Sequence, residues 1–369
     1  MTKIHTTKSC DTLAPTPPNP MTREDAFILW LASLGLHKSW EALHQHGSAE
    51  AVFRNAAEAK AADHANPDYL SELVNRTCTA LADCNARFIS YKHKDYPKRL
   101  QSIPNAPLAL FAKGQLPNST TPAVAIIGTR NNTVYGGKVA ETLAKELSAA
   151  GAVVISGMAR GLDARAHEAA LAADGQTCAI LPSGIDICYP AENSRLYYQI
   201  AEKGSLLTEF LPGFKPQRWS FPARNRIIAG MADILVVVEA EIKSGTASTV
   251  DHALAQGKEV FAVPGKITDK KSSGTNELIK QGAHILTTPA DILLALKINH
   301  SDTPEVTPKK IPLASDETLV YDCLNYDPTS VDYIIYKTGL NIAVANKLLL
   351  NMELSGHIKR LPGQRYIKT

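Results

Sequence analysis

Six short apolar runs, rich in β-branched residues, alternate with helical stretches through the middle of this chain. In order they read AVAIIG, AVVIS, TCAILP, SLLTEF, DILVVVEA and EVFAVP. Strands that are buried on both faces and separated by amphipathic helices are typical of a parallel sheet with helices on both sides. We therefore predict an α/β fold with a Rossmann-like, doubly wound parallel sheet, forming a core domain over residues 90–298.

The segments around this core predict four further parts of the chain. Residues 1–20 contain four prolines and few apolar side chains, which is typical of a disordered tail. Residues 21–89 carry apolar positions at helical spacing and predict a small helical domain of the SAM-like or helix-hairpin-helix-like type. Residues 299–312 are polar and proline-rich and predict a linker. Residues 313–369 predict three helices and a two-stranded wing, the pattern of a winged-helix domain.

Composition argues against several classes of protein. A net charge of +3 over 369 residues permits an anionic partner without requiring one. Of the six cysteines no two have CxxC spacing, so neither a metal site nor a disulfide framework is predicted. The N-terminus lacks the apolar core of a signal peptide, and no segment reads as a membrane span. We expect a cytoplasmic protein with no membrane partner and with buried free thiols.

Small residues are concentrated where the predicted strands end and the next helices begin. Doubly wound sheets bind their ligands at this edge, where a phosphate can approach backbone N–H groups if the side chains are small. Several such turns on one edge favour an anion site. The turns contain Gly128, Thr129 and Arg130; Ser156, Gly157, Ala159, Arg160 and Gly161; Pro182, Ser183 and Gly184; Ser244, Gly245 and Thr246; and Pro264, Gly265 and Lys266.

These turns match neither of two familiar nucleotide-binding motifs. The chain has no GxGxxG sequence at its first turn and no GxxxxGK[ST] sequence. A tightly held dinucleotide or ATP is therefore not supported, and no cofactor is predicted. A phosphate-bearing ligand of another kind fits better.

The segment FLPGFKPQRWSFPARNRIIAGM, residues 210–231, combines cations with aromatic side chains and contains no acid. Cations neutralise phosphates and aromatic faces stack on bases, so the combination is typical of sequence-independent binding to single strands. The alternative is that Trp219 and Phe221 belong to the core and that the arginines cap carbonyl groups. The contacts predicted from this segment are Lys215, Arg218, Phe221, Arg224, Asn225 and Arg226.

Seven segments, in the same order, resemble the bacterial DNA-processing protein A (DprA/Smf) family. They are IGTR with YGG downstream, SGMARGLDARAHEAAL, SGIDICYPAENSRL, LLTEFLPGFKP, FPARNRIIAG, VFAVPG and KSSGTNELIKQGAHIL. The resemblance implies a Rossmann-like protein that binds single-stranded DNA, forms homodimers and helps to load RecA recombinase onto incoming strands during natural transformation. We expect a binding protein rather than an enzyme.

The resemblance also implies roles for individual residues. Arg130 would be a principal phosphate contact and Arg218 a second one. The residues implied to line the same pocket are Ser156, Gly157, Ala159, Arg160 and Gly161. Two positions depart from the family pattern: Ala191 stands where a basic residue is common, which leaves Lys203 or Arg195 to replace it, and Asp251 adds an acid near the pocket. We expect the dimer surface around Asp251–Gln256 and Thr275–Lys280.

Three alternatives compete with this interpretation. Asp163 and His167 lie four residues apart and could form a catalytic pair, although we favour Asp163 orienting its loop and His167 packing against the sheet. A nucleotide phosphoribohydrolase of the lysine-decarboxylase-like type would need PGGxGTxxE, but the matching run KSGTASTVD places Thr249 where the glutamate should stand. A double-strand-binding regulator would need polar groups on its recognition helix, whereas residues 341–355 are mostly apolar. We therefore expect an auxiliary or protein-interaction role for the winged helix.

Overall fold

The computed structural model describes residues 21–35, 39–58, 64–298 and 315–368. The predicted disordered tail, residues 1–20, and the predicted linker, residues 299–312, lie outside the described residues. Within the described ranges, no helix is both long enough and apolar enough to cross a membrane.

Nine strands of the described chain form one sheet, in the order β1-β2-β6-β5-β4-β3-β7-β8-β9. The six runs identified in the sequence become β3 to β8, and all six are parallel. The predicted doubly wound α/β fold is thus confirmed. The strands are β1 (Arg87–Ser90), β2 (Ala109–Gly114), β3 (Ala123–Ile127), β4 (Val153–Ser156), β5 (Thr177–Ile180), β6 (Ser205–Thr208), β7 (Ile234–Val237), β8 (Glu259–Ala262) and β9 (His284–Ile285).

Helices cover both faces of this sheet. On β3, Val124 and Ile126 contact one buried cluster, which includes the apolar sides of α5 and α6. Ala125 and Ile127 point to the opposite face, where they pack with α8 and α9. The alternation follows from the two-residue period of a strand. The helices of this domain are α5 (Val134–Ala149), α6 (Leu162–Ala172), α7 (Ser194–Lys203), α8 (Ser220–Met231), α9 (Thr246–Ala255), α10 (Ser273–Lys280) and α11 (Pro289–Ala295).

The N-terminal part is helical, as predicted, and it packs on one end of the sheet. Its helices are α1 (Arg23–Ser33), α2 (Ser39–His46), α3 (Ala49–Glu58) and α4 (Pro67–Asp83). Thr22 and Asp25 form a reciprocal capping box at the start of α1. Trp40 Nε1 donates to the carbonyl oxygen of Ala106 at 2.7 Å, which ties α2 to the core. The boundary we predicted between residues 89 and 90 falls inside β1, so the sheet begins before it.

The C-terminal part has three helices and a small antiparallel sheet, as expected for a winged helix. Ser330 caps α13, because its side-chain hydroxyl accepts a hydrogen bond from the backbone N–H of Tyr333 at 3.3 Å. The wing turns through Pro362 and Gly363, and Gly363 has a φ of +80°. The elements are α12 (Ser315–Asp322), β10 (Thr329–Ser330), α13 (Val331–Thr338), α14 (Ile342–Leu354), β11 (Ile358–Leu361) and β12 (Arg365–Lys368).

The cysteines of the described residues are free thiols, but they are less buried than predicted. Cys178 on β5 is fully buried, and burial raises its pKa to about 12. The thiols of Cys78, Cys84, Cys188 and Cys323 are partly exposed. Cys10 lies outside the described residues.

Candidate nucleic-acid interface

The loops that follow β3, β4 and β5 meet at the carboxyl edge of the sheet and enclose a small cavity. Its volume is about 100 Å³. The residues around it come from four separate stretches of sequence, which the parallel order of the strands brings together. They are Arg130, Gly157, Ala159, Arg160, Pro182, Tyr189, Pro190, Phe221 and Arg224.

Two glycines let the first two loops pack directly against each other. Gly161 has a φ of +77°, and a Cβ there would lie 2.5 Å from the carbonyl oxygen of Thr129. A Cβ on Gly128 would lie 2.3 Å from Leu162 Cδ1. The N–H of Leu162 donates to Thr129 O at 3.3 Å, which joins the loops across this contact. Glycine is therefore required at both positions, and the predicted turn residues Gly128, Thr129 and Gly161 shape the pocket through packing.

Arg224 forms part of the cavity wall and is only 4% exposed. Its Nη1 donates to the carbonyl oxygen of Gly157 at 2.7 Å and also to that of Ile180. Burial lowers the pKa of Arg224 to about 10, with a smaller contribution from the charge of Arg130, while the Asp163 carboxylate acts in the opposite direction. At neutral pH the side chain remains charged, so a fixed positive charge lies against the cavity.

Asp163 organises the loop that carries Gly157 to Arg160. The backbone N–H groups of Gly157 and Ala159 donate to its Oδ2 at 3.2 and 3.4 Å. Burial raises the pKa of the Asp163 carboxyl, while the Arg224 charge acts in the opposite direction. Asp163 thus holds the loop, as we favoured from the sequence.

His167, the other residue of the suspected pair, is fully buried against the sheet. Its Nδ1 lies 2.7 Å from the hydroxyl of Thr177 on β5. Burial lowers the pKa of His167 to about 3, so the imidazole is neutral at physiological pH. This placement agrees with a packing role.

Arg130 is exposed at the mouth of the cavity. Its guanidinium carbon lies 5.2 Å from the centroid of the Phe221 ring, a cation–π distance. The ring of Tyr189 approaches the same Phe221 edge-on, with centroids 5.6 Å apart. One cation and two aromatic side chains therefore line the opening.

Arg160 is the second cation at the opening, and it is paired with an acid. Its Nη2 lies 2.5 Å from Glu192 Oε1, and both side chains are about 60% exposed. An ion pair this exposed is weak and is easily exchanged for another anion.

The remaining predicted residues lie around the cavity at different depths. Ser156 is buried and donates to the carbonyl oxygen of Ile126 at 2.7 Å, so its role is structural. Asn225 donates to Ser248 Oγ at 2.7 Å, which fixes the turn where Ser244, Gly245 and Thr246 lead into α9. Lys215 and Arg218 are exposed in the loop that precedes α8. None of these side chains lies in the cavity wall.

Arg226 requires a correction, because it does not face the candidate site. It is 6% exposed and forms a buried ion pair with Glu209, with Nη2 and Oε2 2.5 Å apart. The acid-free segment therefore supplies two exposed cations, Lys215 and Arg218, and two buried ones, Arg224 and Arg226. The sequence could not separate them, since the partner of Arg226 stands seventeen residues earlier on the chain.

The aromatic residues of the same segment are also divided. Trp219 is 57% exposed, so the alternative that placed it in the core is wrong. Its ring contacts Phe214 and Phe210 edge-on, at centroid distances of 5.5 and 5.7 Å. Phe221 is half-buried and belongs to the cavity. Pro182, one of the predicted turn residues, lies in the cavity wall. Tyr189 and Glu192 were not among the predicted site residues, although the loop after a parallel strand is a place where such residues are expected.

The sequence of this chain matches two described protein families. The family described as DNA recombination-mediator protein A matches residues 87–297, and that described as DprA winged helix domain matches residues 304–364. The chain belongs to the DprA family. It is 32% identical to Protein Smf of Synechocystis over 76% of this chain and 80% of that protein. It is 41% identical to DNA processing protein DprA of Bacillus subtilis over 59% of this chain and 73% of that protein.

Two solved DprA structures resemble this one. DprA of Streptococcus pneumoniae matches with a TM-score of 0.61 at 32% identity, over 75% of this chain and 98% of that chain. DNA processing protein A of Helicobacter pylori matches with a TM-score of 0.51, also at 32% identity, over 57% of this chain and 95% of that chain. The latter structure is described as revealing a single-stranded DNA binding mode of that protein.

The two departures from the DprA pattern lie at exposed positions. Ala191 begins the short turn before α7, and the residue that follows it, Glu192, is an acid. Arg195 is exposed on the first turn of α7, close in sequence to Ala191. Asp251 is exposed on α9 and lies outside the cavity wall, so its charge faces solvent.

Proposed function

We propose that this protein binds single-stranded DNA at the carboxyl edge of its sheet, with a phosphate at Arg130. The observation that carries the proposal is the convergence of Arg130, Phe221 and the buried Arg224 on one cavity, with the guanidinium of Arg130 5.2 Å from the Phe221 ring. Exposed cations supply affinity for phosphates of any sequence, and aromatic faces accept unpaired bases.

Each part of the site has a physical role in this proposal. Arg130 neutralises a phosphate directly, since it is exposed and reaches the opening. Arg224 adds a fixed positive potential from beneath, because its donors are already bonded to the carbonyl oxygens of Gly157 and Ile180. Phe221 and Tyr189 offer ring surfaces for a base that is not paired in a duplex. A duplex, whose bases are stacked inside, cannot use these rings.

Lys215, Arg218 and Trp219 extend the proposed path beyond the cavity. All three are exposed in the loop before α8. Arg218 would neutralise a neighbouring phosphate, and Trp219 would stack with a further base. Arg160 would exchange Glu192 for DNA, since an exposed ion pair has little net stability.

A salt-titrated binding assay tests this proposal. Fluorescence anisotropy with labelled single-stranded and double-stranded oligonucleotides of equal length should show tighter binding of the single strand. The logarithm of the affinity should fall linearly with the logarithm of salt concentration, with a slope of about −0.7 for each phosphate neutralised. Equal affinity for both forms, or binding that salt does not weaken, would contradict the proposal.

Membership of the DprA family supports two further parts of the proposal. We propose that the protein loads RecA recombinase onto the bound strand during natural transformation, and that it acts as a homodimer. Two adjacent pockets on a dimer would raise the effective affinity for one strand. The first part is tested by comparing RecA filament formation on single-stranded DNA in the presence and in the absence of this protein.

The predicted dimer surface carries an exposed apolar side chain. Leu254 on α9, within Asp251–Gln256, is 60% exposed. Ile285 on the edge strand β9 lies outside the predicted ranges and is 55% exposed. An edge strand leaves backbone N–H and C=O groups open to pairing with another chain. We therefore propose that β9 joins α9 and α10 in the homodimer surface.

We propose binding without catalysis and without a cofactor. The rival phosphoribohydrolase would need a glutamate where Thr249 stands, and Thr249 is buried in α9. Incubation with nucleoside monophosphates should release no base. Release of a base at a rate that depends on protein concentration would support the phosphoribohydrolase alternative.

A further inference from the structure

A second, larger cavity lies beyond the end of β8, between the core and the winged helix. Its volume is about 710 Å³, within the range of ligand-binding pockets. The core contributes the start of α5 and the turn after β8, and the winged helix contributes the loop between α12 and β10. Its wall includes Thr133, Tyr135, Lys266, Asp269, Tyr326 and Asp327.

This cavity is close to the one beside Arg130. Thr133 lines the larger cavity and Arg130 the smaller one, and they are three residues apart on one loop. Their Cα atoms are therefore separated by at most ~11 Å, given 3.8 Å for each peptide unit. A stacked strand advances ~3.4 Å for each nucleotide, so about three nucleotides span the interval. The two cavities are therefore close enough for one strand to extend from Arg130 to the second cavity.

The larger cavity combines one cation and aromatic side chains with two carboxylates, Asp269 and Asp327. The Asp269 carboxylate accepts a hydrogen bond from the backbone N–H of Lys271 at 2.9 Å. Lys266 forms an ion pair with the Asp327 carboxylate of the winged helix, and the two side chains are 65% and 56% exposed. A carboxylate oxygen thus occupies the place on Lys266 that a phosphate oxygen would take. Tyr326 is 46% exposed, and Tyr135 is held by a hydrogen bond from its hydroxyl to Pro264 O at 3.3 Å. These rings can stack with an unpaired base.

We propose that this cleft is a second subsite for the same DNA strand, an inference that rests on the proposed binding at Arg130. A phosphate replaces Asp327 on Lys266, and the adjoining base stacks against Tyr326. The exchange is feasible because a solvent-exposed ion pair is only weakly stabilising. The winged helix thereby takes part in single-strand binding through the loop that carries Tyr326 and Asp327, rather than through its apolar helix α14.

The test compares the full-length protein and its variants on two labelled oligothymidines. One is just long enough for the Arg130 pocket, and the other spans both cavities. Lys266→Ala should weaken binding of the longer strand by roughly threefold to tenfold and reduce its salt slope by about 0.7, because one phosphate contact is lost. Binding of the short strand should not change. Asp327→Asn should tighten binding of the longer strand alone.

Lys270→Ala is the matched control, since Lys270 is exposed on the same turn but lies outside the cavity wall. Tyr326→Ala should weaken binding of the longer strand, and Tyr326→Phe should restore it. If the parent protein binds no single strand, the subsite and the proposed function both fail. If Arg130→Ala weakens binding while the Lys266, Asp327 and Lys270 variants behave alike on the longer strand, the subsite alone is wrong.

Discussion

Arg224 lies directly against Gly157. Its Nη1 is 2.7 Å from the Gly157 carbonyl oxygen, and a Cβ added to Gly157 would lie 2.5 Å from that nitrogen. Arg224 cannot simply swing away, because it is buried and also bonded to the carbonyl oxygen of Ile180. The loop after β4 and the helix α8 are therefore fitted to each other through this one contact.

Gly157→Ala should consequently destabilise the protein. We expect a loss of about 1–3 kcal/mol in the free energy of unfolding, the usual cost of forcing extra atoms into a packed site. Chemical denaturation monitored by circular dichroism measures it. Gly245→Ala is the control, because a Cβ at Gly245 would meet no atom within 4 Å and the residue has an ordinary φ. Gly151→Ala would be a poor control, because Gly151 has a positive φ. A Gly157 variant as stable as the Gly245 variant would contradict the fit.

Arg130→Ala should weaken binding of every single strand by about tenfold and reduce the salt slope by about 0.7, since a phosphate contact is lost. Arg130→Lys should recover part of the affinity, because the charge remains while the planar contact with Phe221 is lost. Arg76→Ala, which removes an exposed arginine from α4, is the control. If Arg130→Ala and Arg76→Ala have the same effect on anisotropy titrations, the phosphate assignment is wrong.

The sequence predicted the core well because each parallel strand is buried on both faces and is therefore an uninterrupted apolar run. Residues of the loops after β3 and β4 were predicted for the same reason, since strands of known direction bring their ends to one edge. The exposure of individual cations was not predictable. Arg218 is exposed and Arg226 is buried, although both belong to one acid-free segment, because the difference depends on the distant Glu209. The antiparallel pairing of β1 and β2 at the sheet edge was also not predicted.

His167 should make stability depend on pH. Burial lowers its pKa to about 3 in the folded protein, whereas an unfolded chain titrates near 6.5. As the pH falls below about 6.5, the unfolded chain takes up a proton that the folded protein does not, so stability is lost. We expect His167 to contribute a loss of about 2 kcal/mol between pH 7 and pH 5, given about 1.4 kcal/mol for each pH unit.

His167→Gln isolates this contribution, because glutamine cannot take up the proton. The variant should be less stable than the parent at pH 7, since the contact with Thr177 is altered, but its stability should fall less on acidification. Urea denaturation of both proteins at several pH values provides the measurement. Parallel pH profiles would show that another group causes the acid sensitivity.

Leu254→Lys should convert the proposed homodimer into monomers. Leu254 is 60% exposed on α9, so the substitution has little effect on folding of a single chain. A charge buried in an apolar interface opposes association. Light scattering after size-exclusion chromatography should show half the parent mass, whereas Leu294→Lys, at an 80% exposed position on α11, should leave it unchanged. A parent protein that is already monomeric at micromolar concentration would contradict the dimer.

The ion pair of Arg226 and Glu209 should contribute to stability and not to DNA binding. Both side chains are less than 10% exposed, and within the described residues Arg226 Nη1 and Glu209 Oε1 have no hydrogen-bond partner. Glu209→Gln or Arg226→Met alone leaves one buried charge uncompensated, which typically costs about 3–5 kcal/mol. The double variant Glu209→Leu with Arg226→Met should recover much of this loss, because it removes both charges together.

If the double variant is folded, its affinity for single strands should equal that of the parent, since neither side chain lines the cavity. A tenfold loss of affinity in a stable double variant would instead indicate that Arg226 takes part in DNA binding.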